Sequence, residues 1–344
     1  MTLSEDAVSD GRAADATAQP TALHVNDAAF TAQRMIAEAT RRGYTWDFMP
    51  KAAPTQEWRG VSGKARKAAI GVTWAARLAV RARRYDIVQI HSAGVLAHSR
   101  VSAPRFVLHC HGSDVRTRQY QPGWSSTIRN GLRDAEAVFY PTPELAEHVL
   151  PQRPDAVYLP IPVDVHNVAT WAPEPGTPRI FFASRWSPDK ASATQVELAR
   201  QLVAAAGDRA EVVGLDWGPQ AADAAEAGVR LVPPCDQETY LKLITGAHVV
   251  IGQAAGILAT SELETLAAGA PLVLPVPLPL YADTAPPVYG GTVADAVDAT
   301  VALLAGTQPH DLTATREWAR DHHGIEHAVD TVARVHREVV AARR

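Results

Sequence analysis

The sequence predicts an α/β protein built from two comparable domains, each around a mostly parallel sheet. Three observations carry this. Short apolar runs alternate with stretches of helical periodicity along most of the chain. The connections between successive runs are long enough for crossover helices rather than hairpins. A proline-rich break from His166 to Pro178 divides the alternation into two series.

Composition agrees with that division. A chain of 344 residues is long for one core, and 47% hydrophobic residues can fill two. A formal net charge of −4 argues against general nucleic-acid binding. Charge is uneven, however: Arg59 to Arg84 holds eight Lys or Arg and no acid. Only Cys110 and Cys235 are present, far apart, as expected for a reducing cytoplasm. The start Met1-Thr-Leu-Ser-Glu-Asp lacks a basic n-region and is not read as a secretory signal. The apolar stretch Ala267–Tyr281 holds four prolines, too broken to span a bilayer. Any membrane role is expected to be peripheral.

Residues 1–20 are poor in large apolar groups and are read as a disordered tail. Ala22–Asn26 is the first strand and Asp27-Ala-Ala-Phe-Thr31 its turn. The helix Ala32–Arg42 stops at Gly43, and Tyr44–Phe48 is the second strand. The turn lacks the glycines of a dinucleotide fingerprint. Gly63–Arg84 is a helix with Ala68, Val72, Ala75, Ala76 and Ala79 as its apolar stripe. Arg77, Arg81 and Arg84 share another face, either simply solvated or touching anionic headgroups or an anionic acceptor. Asp86–His91 is a strand opening into the loop Ser92–His98. Arg105–Cys110 is another, opening into His111-Gly-Ser-Asp114. Ser126–Arg133 is a helix, Ala137–Tyr140 a strand, Pro143–Val149 a short helix and Ala156–Leu159 a strand.

The second series begins with the strand Arg179–Ala183 and the loop Ser184–Lys190. Thr194–Ala205 is a helix, Ala210–Val213 a strand, Gln220–Ala227 a helix and Val229–Val232 a strand. Gln237–Gly246 is a helix leading into the strand Ala247–Ile251. Gly256–Pro275 then reads as loop, short helix, tight turn and buried strand. Ser261 is its expected cap, Glu264 the capping-box acid and Gly269 the helix end. The helix Thr292–Leu304 follows. From about Leu312 the chain is helical, with Trp318, Ile325, Ala328, Val332, Val335 and Val339 on its apolar face.

Several residues are candidates for chemistry. A carboxylate early in a helix at the carboxyl end of a parallel strand can face a ligand in the sheet crevice. Glu264 is therefore either such a group or only a cap. His111 lies just past a buried strand beside Gly112, which permits close backbone approach. It is either a structural turn residue or an imidazole that accepts a hydrogen bond from a substrate hydroxyl. Asp114 can hold a histidine or bind a hydroxyl. Arg185 and Lys190 flank Pro188 in a post-strand loop. They are ordinary loop cations or a pair suited to a diphosphate, able to neutralise a departing phosphate. His109 and His111 have no His or Cys companions at ligand spacing, so no metal site is expected.

Taken together, these pieces resemble the retaining GT-B glycosyltransferases of family 4, over nearly the whole ordered chain. The matching segments are Leu23-His-Val-Asn26, Tyr85–His91, His111-Gly-Ser-Asp114, Pro162-Val-Asp164, Ser184–Lys190 and Glu264-Thr-Leu-Ala-Ala-Gly-Ala-Pro271. Their order and spacing carry the resemblance. It implies two Rossmann-like domains facing across a cleft, with the last helix crossing back. Implied boundaries are 21–168 for an acceptor domain, 169–325 for a nucleotide-sugar donor domain, and 326–344 for the returning helix.

The resemblance further implies that Arg185 and Lys190 contact the donor diphosphate, Glu264 the nucleotide ribose, and His111 the region of the transferred sugar. It implies no divalent metal and no cofactor beyond the donor, since basic residues and helix N-termini hold the phosphates. The chain departs from the family at two points. Gly256 stands where the first glutamate of the E-x7-E motif belongs, leaving the amides of Ile257, Leu258 and Ala259 and the hydroxyl of Ser261 as donor-side groups. The first loop lacks the usual glycine pair, and Phe30 narrows it; Asn26 and Thr31 are its polar groups. The expected function is a cytoplasmic transferase moving a sugar from a nucleotide diphosphate to a lipid-linked, envelope-glycan or small-metabolite hydroxyl, with the Arg59–Arg84 stretch as a candidate membrane contact. A non-catalytic sugar-nucleotide-binding protein and a sugar-nucleotide epimerase of the same architecture are the alternatives.

Overall fold

The computed structural model of the protein describes residues 19–52 and 60–344. The expected tail, apart from its last two residues, lies outside them, as does Arg59.

Two six-stranded sheets, every paired strand parallel, form the frame. The first contains β1 (Ala22–Val25), β2 (Trp46–Met49), β3 (Ile87–His91), β4 (Val107–His109), β5 (Ala137–Tyr140) and β6 (Val157–Tyr158), in the order β2-β1-β3-β4-β5-β6. The second contains β7 (Arg179–Phe182), β8 (Glu211–Leu215), β9 (Arg230–Val232), β10 (Val249–Ile251), β11 (Leu272–Leu274) and β12 (Tyr289–Gly290), in the order β12-β11-β10-β7-β8-β9. Parallel strands need helices on both faces, which is why their sequences are near-continuous apolar runs. Each sheet is accordingly sandwiched between two apolar clusters. Leu23, Ile90 and Leu108 belong to one cluster of the first sheet, and Ile87, Val107 and Phe139 to the other. Phe181 and Val250 face one side of the second sheet, and Phe182 and Ile251 the other.

The expected helices form with shifts of a few residues at their ends. α1 spans Thr31–Arg41 and α2 spans Gly60–Ala82. The expected stripe of α2 is corrected. Trp74 and Leu78 are the buried positions, whereas Val72 is 70% exposed and Val80 56%. In an alanine-rich helix several faces look equally apolar; Trp74 and Leu78 enter the core beside Met49 and Val88, and of the expected stripe Ala75 packs against it part-buried. The segment Ser92–His98, expected as a loop, contains two helical turns, Ala93–Val95 and Leu96–Ser99.

The chain crosses back at its end. The helix Leu312–His323 packs against the helix Thr260–Ala268, with Trp318 in the core of the second sheet. The last helix, Ile325–Ala342, packs against α1 and buries Ile325, Val329, Val332 and Val335 against Met35, Trp46 and Phe139 of the first sheet's layer. Val163 pins the crossing. Its N–H donates to His323 O at 2.8 Å, and Ile325 N–H donates to its carbonyl at 3.1 Å. No helix among the described residues is long and apolar enough to cross a membrane.

Candidate active site

Strand order locates a crevice in each sheet. The order reverses between β1 and β3 in the first sheet and between β7 and β10 in the second. Loops leaving the carboxyl ends at such a switch point diverge and leave space for a ligand. Left-handed backbone gathers in these loops. Asn26 (φ 69°), Ala29 (φ 51°) and Phe30 (φ 60°) follow β1, Ser92 (φ 74°) follows β3, and Ala191 (φ 52°) ends the loop after β7. Each such non-glycine residue costs about 1–2 kcal/mol. Strain of this kind persists where the surroundings over-determine it and collects at functional loops.

On the first sheet, the groups near His111 are organised differently from the sequence expectation. Asp114 does not hold an imidazole. Its carboxylate accepts from the backbone N–H groups of Ala93 (2.8 Å), His111 (3.1 Å) and Val115 (3.0 Å), so it staples the loops after β3 and β4 together. Asn26 Nδ2 donates to His91 O at 2.7 Å and fixes the first loop to β3. Thr31 is buried at the start of α1, and Phe30 is 51% exposed at the loop tip. Gly112 has φ +101°, and a Cβ there would meet the Arg116 guanidinium at 3.3 Å.

The His111 ring is part of a buried imidazole chain. Its Nε2 lies 3.1 Å from His91 Nδ1, and His91 Nε2 lies 3.0 Å from His24 Nδ1. Gln89 Nε2 is 3.4 Å from both His91 Nε2 and His109 Nδ1, while Gln89 Oε1 is 2.8 Å from His336 Nε2 of the last helix. His109 stacks on His111 with centroids 4.6 Å apart. Burial favours the neutral form of all of them, and it pushes His24 down to about 3. His91 thus supplies the companion to His109 and His111 that linear spacing lacked, with one nitrogen from each within 4.8 Å. Both nitrogens of His91 are already engaged with neighbouring imidazoles.

On the second sheet, Arg185 ion-pairs with Asp189 at 2.5 Å and stands over the Trp217 ring at 5.8 Å. Lys190 is largely buried. Its ammonium is lowered first by burial, which Glu262 and Asp189 oppose and Arg185 and Arg116 reinforce. The two walls meet where Arg34 of α1 ion-pairs with Glu264 of the helix Thr260–Ala268, and Arg116, which follows His111, is paired with Glu144. Arg116 was missed because an arginine three residues beyond a glycine turn carries no motif.

The helix Thr260–Ala268 starts at an earlier residue than Ser261, and this overturns the capping expectation. Ala259 is the N-cap, and the acid at the third position is Glu262. Its carboxylate accepts from Ala259 N–H (2.9 Å) and Gln253 N–H (3.1 Å). Glu264 is thereby freed from capping. It accepts from Arg34 of α1 and from Gln237 Nε2 (2.8 Å), and burial pushes its carboxyl up against these donors. Leu258 is buried and its N–H donates to Tyr281 Oη at 2.8 Å, so that amide is occupied. Ile257 O accepts from Gln253 Nε2 at 3.3 Å. Ser261 Oγ donates to Glu262 at 3.1 Å. Gly256 has φ +72°, and a Cβ there would meet only Pro277 O at 4.0 Å. Space for a side chain exists at this position, but the backbone favours glycine.

Comparison with known structures agrees with this architecture. The chain superposes on sucrose-phosphate synthase from Thermosynechococcus elongatus with a TM-score of 0.67 at 13% identity, covering 94% of this chain and 100% of that one. For Anabaena Alr3699/HepE in complex with UDP the values are 0.65 and 11%, covering 91% and 98%. For AviGT4, a glycosyltransferase involved in avilamycin A biosynthesis, they are 0.60 and 18%, covering 94% and 98%. The chain has the GT-B fold. At these identities the likeness is one of fold. Residues 18–166 also match the family model of Glycosyltransferase Family 4, which covers the first sheet of this GT-B chain and the imidazole chain up to His111. A search of the curated proteins found no match.

Proposed function

We propose that this GT-B protein is a retaining glycosyltransferase of the family 4 type, moving a sugar from a nucleotide diphosphate to a hydroxyl acceptor. The observation that carries the reading is the pairing of walls. His111 and Arg116 follow β4, beside β3 at the switch point of one sheet, Arg185 and Lys190 follow β7 at that of the other, and the Arg34–Glu264 ion pair joins the two sides. The family match over residues 18–166 and the fold support it.

In this reading Lys190 and Arg185 hold the donor diphosphate, and the half-buried N-terminus of the helix Thr260–Ala268 adds its dipole. The ribose hydroxyls donate hydrogen bonds to the Glu264 carboxylate, which exchanges Arg34 for the nucleoside. The acceptor oxygen forms its bond to the anomeric carbon on the face from which the phosphate oxygen departs. The acceptor proton passes to that leaving oxygen, and the two cations stabilise the diphosphate charge as the old bond breaks. His111 orients the transferred sugar. Gly256 stands where a glutamate would otherwise meet that sugar.

The acceptor reading rests on a cavity of about 890 Å³ between the first loop, the end of β2 and α2. Phe48, Ile70 and Trp74 give it an apolar wall, and Lys51 and Lys67 give it charge. That combination suits an acceptor with an anionic group beside an apolar part. The outer face of α2, with Lys64 and Arg77 beside exposed Val72 and Val80, and the exposed Arg83 and Arg84 just past its end suit peripheral contact with an anionic membrane from the cytoplasmic side.

The test is a thermal-shift panel of UDP, GDP, ADP and dTDP and their sugar conjugates, followed by mass spectrometry with phosphorylated acceptors. Stabilisation by one nucleotide family together with sugar transfer is expected. Binding without transfer would favour the non-catalytic alternative. Change in the donor sugar with no acceptor present would favour an epimerase.

A further inference from the structure

The geometry points to Gln89 and His336 as positioning residues that fix the tautomer of His91 and thereby present His111 to the cleft as an Nδ1–H donor. A neutral imidazole has one N–H and one lone pair, so each hydrogen bond in a chain of such rings dictates the next. The chain can therefore run in only two directions, and the buried nitrogens without partners tell them apart.

Consider first Gln89 Oε1 accepting from His336 Nε2–H, as the 2.8 Å contact allows. The two amide hydrogens of Gln89 then point at His91 Nε2 and His109 Nδ1, each 3.4 Å away. His91 Nε2 must accept, so His91 carries its proton on Nδ1 and donates to His111 Nε2. His111 is left with Nδ1–H, which has no partner among the described residues and is not among the enclosed nitrogens. His24 Nδ1–H points at the same His91 Nε2 lone pair from 3.0 Å and shares it with the more distant amide hydrogen, so both donors require His91 Nε2 to accept. Among the enclosed unpartnered nitrogens of this imidazole chain, His24 Nε2 and His336 Nδ1 are then bare lone pairs, and only His109 Nε2 carries a hydrogen.

Reversing the amide reverses every ring. His24 Nε2 and His336 Nδ1 would both become buried N–H groups with no acceptor, while His109 Nε2 would lose its hydrogen, so two orphaned donors would replace one. Orphaned buried donors are the rarer and costlier defect. The first direction therefore wins, and it is imposed on the cleft by a residue of the last helix, 247 positions from Gln89. The sequence-based reading of His111 as a hydrogen-bond acceptor is reversed: it donates. Its consequence for turnover rests on the proposed placement of His111 beside the transferred sugar.

The test is long-range proton–nitrogen correlation NMR on protein with ¹⁵N-labelled histidine, the His111 signals being assigned by their loss in His111→Ala. The expected result for the unliganded protein is an Nδ1–H His111. An Nε2–H His111 overturns the proposal without any variant. Gln89→Met keeps the side-chain length but removes the donor. It is expected to move His111 toward Nε2–H, and to lower kcat at least tenfold with nucleotide affinity within twofold. A His111 tautomer unchanged in folded Gln89→Met and in His336→Phe would also overturn it. If the tautomer is as expected but His111→Ala turns over normally, the relay stands and the assigned role of His111 in transfer falls.

Discussion

Arg34 on α1 donates to Glu264 of the helix Thr260–Ala268, joining side chains 230 residues apart across the two halves of the molecule. Both are mostly buried, at 17% and 3% side-chain exposure, and Gln237 Nε2 donates to the same carboxylate oxygen at 2.8 Å. The contact occupies the carboxylate proposed to bind ribose.

Breaking a buried pair from one side strands the other charge, at a cost of roughly 3 kcal/mol. Arg34→Ala is therefore expected to lower the unfolding midpoint, and adding Glu264→Gln should recover part of that loss. A double-mutant cycle by urea unfolding measures the coupling, expected at about 1–3 kcal/mol. Additive losses would mean that the pair contributes nothing of its own.

Lys190→Ala is expected to weaken nucleotide diphosphate binding at least tenfold, about 1.4 kcal/mol. Arg185→Ala should do less, because Arg185 is more exposed and already neutralised by Asp189. Calorimetric titration with diphosphate and monophosphate forms checks this. Equal losses for both forms would place Lys190 away from the terminal phosphate.

The buried imidazoles make the fold acid-sensitive. An exposed histidine titrates near 6.5, whereas burial pushes His24 down to about 3 and His323 to about 4. Between those values the unfolded chain binds protons that the folded chain refuses. Stability is therefore fully present above pH 6.5 and is lost as pH falls through this window. At pH 5 each such ring costs about 2 kcal/mol. Urea midpoints at pH 7.5 and 5.5 should differ clearly, and equal midpoints would contradict neutral burial of the chain.

The faces of α2 can be told apart directly. Trp74→Ala should cost about 3–5 kcal/mol, since it empties a core position and removes the bond from its indole N–H to Pro50 O at 2.8 Å. Val72→Ala, on the exposed face, should stay within about 0.5 kcal/mol. Thermal unfolding of the two variants decides it.

The left-handed pair Ala29 and Phe30 offers a gain. Glycine removes the steric cost of that backbone but loses more entropy on folding, leaving Phe30→Gly more stable by roughly 1 kcal/mol or less. A lowered midpoint would show that the half-exposed ring makes a contact worth more than the strain.

Much of the fold was legible because its signals are local. Runs such as Leu272–Leu274 and Val249–Ile251 are apolar on both faces, as parallel strands require. His111 and Arg185 were legible because each sits two or three residues past a strand, with Lys190 farther along the second of those loops and Glu264 early in the helix that follows Val249–Ile251. The capping acid was misread because a helix start shifted by two residues exchanges Glu262 for Glu264, and the pattern on either side fits both.

By itself the sequence determined two parallel α/β halves, the loops that carry polar groups at the strand ends, and an amphipathic helix at the end of the chain. Only the tertiary structure decided which face of α2 is buried, that Arg34 meets Glu264, and that histidines on β1, β3, β4 and the last helix join into one chain ending at His111. Those relationships depend on side chains from distant segments meeting in a space with no water. There, packing volume and hydrogen-bond satisfaction are set by every neighbour at once, and no local pattern in the chain encodes them.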